Sequence, residues 1–122
     1  MRRKLIVLFT VIMLAIGMIA VSSSAFTTTY NTTTKTKIAT IHNTTASEKS
    51  AYGILFASGG TAKLELCDIN GYIVYASGMY PAGSTDPHRT RCSIPTGGYR
   101  YVFVKPVPSG TQIWGNAEYG IE

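Results

Sequence analysis

Charge is scarce in this chain. Only 14% of its 122 residues are Asp, Glu, Lys or Arg, too few for a coiled coil or a charged disordered tail. Histidine occurs twice, at His42 and His88, with no H-x-x-H or H-E-x-x-H spacing. Neither a metal site nor a cofactor is therefore expected, and both read as surface histidines. No G-x-S-x-G elbow is present, and Pro87 holds Asp86 in a loop beside His88. A hydrolytic triad is accordingly not expected, and no catalytic residue can be assigned. Asp68 and Asn70 offer one charged oxygen donor between them, short of what calcium takes, and read as turn residues. The basic excess is also small. Arg2, Arg3 and Lys4 hold three of the eleven basic residues, so beyond them eight basic residues face six acidic ones. That balance excludes a strongly basic nucleic-acid binder.

The sequence opens instead with a leader. Met1-Arg2-Arg3-Lys4 is followed by an apolar run over 5–21, broken only by Thr10 and Gly17, and then by Ser22-Ser23-Ser24-Ala25. A positive start, an apolar stretch and small residues at −3 and −1 make a secretory signal peptide over 1–25. As a helix the apolar run would span roughly 25 Å, short of the ~30 Å hydrocarbon core. Cleavage rather than stable membrane insertion is expected, and the mature protein should be secreted and extracellular. No cysteine follows the run to carry a lipid.

Cys67 and Cys92 are the only two cysteines. Export makes their pairing an expectation, because oxidising compartments preserve disulfides. The chain-entropy model gives roughly 3.5 kcal/mol for closing a loop of this length.

The mature chain divides into a Thr-rich segment over 26–36 and a domain over 37–122. The first is rich in extended-backbone residues but has apolar surface only at Phe26 and Tyr30, so it reads as a flexible lead-in or an edge strand, with the lead-in preferred. Two sequons, Asn31-Thr32-Thr33 and Asn43-Thr44-Thr45, read as chance matches in so Thr-rich a chain. Beyond residue 37, short β-type runs alternate with turns: 37–41, 51–57, 61–67, 72–75, 91–94, 99–105 and 112–121. Over 61–67, Ala62, Leu64 and Leu66 share one face while Lys63, Glu65 and Cys67 share the other. Asn70-Gly71 marks a hairpin. A two-residue loop would set Leu66 opposite Tyr75. A four-residue loop would set it opposite Ile73, and this register is preferred because it gathers more apolar side chains on one face. About seven strands without a helix-period segment predict an all-β fold, a small antiparallel β-sandwich preceded by a cleaved helical signal peptide.

The stretch Gly60-Thr61-Ala62-Lys63-Leu64-Glu65-Leu66-Cys67-Asp68-Ile69-Asn70-Gly71 resembles the strand–D-x-x-G–strand unit of the bacterial pre-peptidase C-terminal domains. Ile94-Pro95-Thr96-Gly97-Gly98-Tyr99-Arg100-Tyr101-Val102 is similar to their G-x-Y-x-V strand. The resemblance covers about 51–121. It implies a small secreted jelly-roll sandwich acting as an accessory or carbohydrate-binding module. The family's acidic tract is missing here, so calcium or collagen-like binding does not carry over.

Aromatic side chains are numerous for so small a domain, with eight tyrosines and a single tryptophan. Some must fill the core. Trp114, on the polar side of its strand, is either packed beneath a loop or part of a flat platform for sugar rings or a partner protein. Tyr80 joins it as an expected binding residue, as do Arg89 and Arg91 from the basic cluster His88-Arg89-Thr90-Arg91. The function expected is a secreted, non-catalytic module binding a polysaccharide, cell-wall or extracellular protein surface. The alternative is a small exported antimicrobial or toxin-like protein acting on competitor envelopes, although no basic amphipathic helix is visible.

Overall fold

The computed structural model describes residues 25–83 and 90–122. The leader over 1–24, the Asp86–His88 pair and Arg89 lie outside the described residues. Those residues form eight strands and no helix: β1 (Ala25–Thr32), β2 (Thr36–His42), β3 (Lys49–Gly59), β4 (Ala62–Cys67), β5 (Ile73–Ala76), β6 (Thr90–Ile94), β7 (Tyr99–Pro106) and β8 (Ile113–Ile121).

Every strand pairing is antiparallel, and the partners nest: β4 with β5, β3 with β6, β2 with β7, β1 with β8. The chain thus runs as one long ribbon whose tip is the β4–β5 hairpin. Pairing of β3 with β8 and of β4 with β7 closes the ribbon into two four-stranded sheets, ordered β1-β8-β3-β6 and β2-β7-β4-β5. That order is an eight-stranded jelly roll. Alternate residues of both sheets meet in one core, including Leu55, Leu64, Leu66, Ile94, Val102, Val104 and Ile113.

The strand beyond the seven expected is β1, the Thr-rich segment. It pairs with β8 from Ala25↔Gly120 to Thr32↔Ile113, so it is an edge strand of the domain and not a lead-in. Tyr30 decides this, because its ring enters the core cluster and ties the segment down.

The hairpin also differs from expectation. Leu66 lies opposite Tyr75 and Cys67 opposite Ile73, with a bulge between these pairs. The Asp68 carboxylate accepts the N–H groups of Asn70 and Tyr72 at 2.9 and 3.0 Å, and Gly71 takes φ +86° where other residues are strained. This turn chemistry sets the register. The preferred alternative assumed that β5 faces the core, yet β5 is an outer edge and Tyr72, Ile73, Val74 and Tyr75 are all exposed.

The expected disulfide is absent, and both thiols are free. Leu64 and Leu66 of β4 point into the core, so Cys67 points to the outer side of the second sheet, opposite Tyr101. Cys92, on the first sheet, packs against the core from its inner side. A sheet lies between the two sulfurs, and no side-chain rotation brings them together. Burial pushes both thiols to higher pKa. At Cys67 the Lys35 charge opposes that rise, and at Cys92 the Arg100 guanidinium does.

Candidate functional site

The outer face of the first sheet carries three rows of side chains across β1, β8 and β3. Asn31 lies beside Trp114 and Trp114 beside Gly59. One step on come Thr29, Asn116 and Phe56, then Thr27, Glu118 and Ile54. Neighbouring rows are two residues apart along each strand, about 6.8 Å. Between the second and third rows runs a shallow groove of about 440 Å3, lined by Thr27, Thr29, Phe56, Asn116 and Glu118 together with backbone of Thr28 and Ala117.

Trp114 stands at one end of this face, 47% exposed. A Cβ on Gly59 would fall on Cζ2, Cε2 and Cη2 of its indole, so the ring rests directly on the glycine backbone. The Gln112 amide donates to Asn31 Oδ1 beside it. Part of the indole covers Gly59 and the remainder faces solvent. Toward the other end of the face, the Tyr52 hydroxyl donates to Glu118 Oε1 at 3.4 Å.

Of the other expected binding residues, Arg89 lies outside the described residues, and neither Tyr80 nor Arg91 lies at Trp114. Tyr80 pairs with Ala62 at the margin of the second sheet, each N–H donating to the other's carbonyl, and its ring packs against the core. Arg91 shares the outer face with Trp114 but lies opposite Tyr52, seven residues along β3 from Gly59 and roughly 20 Å away. There it makes an ion pair with Glu122 at 3.0 Å. Thr27, Thr29, Phe56, Asn116 and Glu118 were not singled out in the sequence. The alternation of β8 put Asn116 and Glu118 on the side of Trp114. Nothing local showed that β1 and β3 flank that side.

The buried Asn43 explains one sequon. Its side chain is 0% exposed; Nδ2 donates to the carbonyls of Ser47 and Ile94, and Oδ1 accepts from Thr45 N and Oγ. A glycan on Nδ2 would break the bonds that tie the end of β2 to β6.

Among the described residues no group of three or more His, Cys, Asp or Glu could hold a metal ion, and no helix is long and apolar enough to cross a membrane. No protein-family model, curated protein or solved structure matches the chain.

Proposed function

We propose that this is an exported, non-catalytic binding module that holds a polysaccharide strand along the outer face of its first sheet. The indole of Trp114 stacks on a sugar ring, while Thr27, Thr29 and Asn116 meet hydroxyl groups along the groove. The supporting observation is the seating of Trp114: a large apolar ring held on a glycine, half open to solvent, one row away from a groove lined by Thr27, Thr29, Asn116, Glu118 and the Phe56 ring. Sugar recognition uses this combination of a flat ring and directional donors and acceptors. The apolar leader supports export.

Trp114 is the only tryptophan, so intrinsic fluorescence reports on this site alone. Titration of the purified protein with soluble cell-wall oligosaccharides should shift its emission and protect it from acrylamide quenching. Trp114→Ala should abolish retention on the matching insoluble polysaccharide. Unchanged emission with every glycan tried, or full retention by Trp114→Ala, would refute the reading.

A second reading, a toxin-like protein acting on competitor envelopes, draws on a separate feature. Ile69, Tyr72, Ile73, Val74, Tyr75 and Met79 form an exposed apolar fringe around the β4–β5 hairpin. Dye release from anionic vesicles, lost in Ile73→Asp, would support it; an inert protein in that assay would exclude it.

A further inference from the structure

The outer face of the second sheet has a different character. Lys63 on β4 and Lys105 on β7 lie directly opposite each other in register. Both point outward, since Leu64 and Val104 beside them enter the core. Like charges placed opposite across a sheet destabilise it.

Two more lysines adjoin this pair from the β2 side. Lys35 immediately precedes Thr36, which pairs with Val104, and Lys37 pairs with Phe103. The Lys35 ammonium sits 5.0 Å from the centroid of Phe103, and that of Lys37 sits 4.6 Å from the centroid of Tyr101. Among the described residues, the acid bonded within this cluster is Glu65, 2% exposed and paired with Lys35 at 3.3 Å. Four ammonium groups thus share one corner of the sheet, one of them paired with Glu65, and two are held in place by aromatic rings. Ring contacts of this kind lower the conformational freedom a lysine must lose on binding.

We propose that this corner is a second binding site, for the carboxylate or sulfate groups of an anionic polysaccharide. The strained Lys63–Lys105 pair is relieved when an anion bridges it. A nucleic acid fits less well. Single-strand binding relies on bare aromatic faces for base stacking. Here Lys35 lies over Phe103 and Lys37 over Tyr101, while His42 stacks on Tyr99 at 4.1 Å.

The test measures binding of the purified protein to immobilised heparin, which is sulfated, and to polygalacturonate, which carries carboxylates only, over a salt series. Wild type should bind at least one of them with steep salt dependence. Lys63→Ala/Lys105→Ala should bind about 10-fold more weakly, with a shallower slope. Lys49→Ala, on the first sheet, should lose much less, which separates this corner from a general fall in positive charge. The relative response to the two polymers tells sulfate from carboxylate. The double variant should melt at the same or a higher temperature than wild type. Binding unaffected by the double substitution, no binding to either polymer, an equal loss in Lys49→Ala, tighter binding of a single-stranded oligonucleotide, or a lower melting temperature for the double variant would each overturn the proposal.

Discussion

Trp114 and Gly59 face each other across β8 and β3, and the indole occupies the space that any side chain at position 59 would need. An aromatic ring over a cross-strand glycine repairs the packing that the glycine leaves open. It also fixes the ring's orientation, which a solvent-exposed tryptophan otherwise lacks.

Gly59→Ala should therefore displace the indole. Overpacking of this kind costs about 1–3 kcal/mol. The β-sheet circular dichroism should persist while the emission of the sole tryptophan moves to longer wavelength. Emission identical to wild type would show that the ring does not rest on Gly59.

The separation of Cys67 from Cys92 by a whole sheet predicts two free thiols. The intact mass should match the fully reduced form, and reducing agent should leave the melting temperature unchanged. Under native conditions Cys92, partly exposed, should alkylate before the buried Cys67. A mass two daltons lower would contradict the structure.

Burial pushes the Tyr30 phenol from about 10 up to about 12. Its protonated form is favoured by the fold, so this contribution is complete below pH 10 and lost as pH rises toward 12. The linked loss amounts to about 2–3 kcal/mol. Urea unfolding of wild type should show it across that window. Tyr30→Phe, which has no phenol to ionise, should show a flatter dependence there.

Asn43 uses both its amide donor and its carbonyl acceptor on β6 and the loop after β2. Asn43→Ala leaves the Ile94 carbonyl without its partner and should cost about 2–3 kcal/mol. Chemical denaturation reads this directly. A loss below about 0.5 kcal/mol would mean that water replaces the amide.

Much of the strand content was legible in the chain. Alternation over 62–67 separated Leu64 and Leu66 from Lys63, Glu65 and Cys67, and the structure keeps that division. Asn70-Gly71 marked the hairpin. The register beyond it was not legible, because it depends on Asp68 capping two N–H groups and on β5 being, among the described strands, the edge of its sheet. For the Thr-rich segment the sequence leaves a lead-in and an edge strand open and favours the lead-in, because threonine alternation carries little apolar contrast. Tyr30 alone anchors it in the core.

The candidate site was half visible. Trp114 stood out as an aromatic residue on the polar side of its strand. Its companions Thr27, Thr29 and Phe56 come from strands far away in sequence, and no local pattern joins them to Asn116 and Glu118.

The amino-acid order alone settled where the chain is extended, where it turns, and which side chains share a face within each strand. Those properties follow from backbone sterics and from a two-residue period that needs no partner. The fold as a whole decided which strands lie side by side, whether β5 faces core or solvent, and that Cys67 and Cys92 point to opposite sides of one sheet. Strand pairing is a hydrogen-bonded relationship between distant segments, and a face becomes inner or outer only when a second layer covers it.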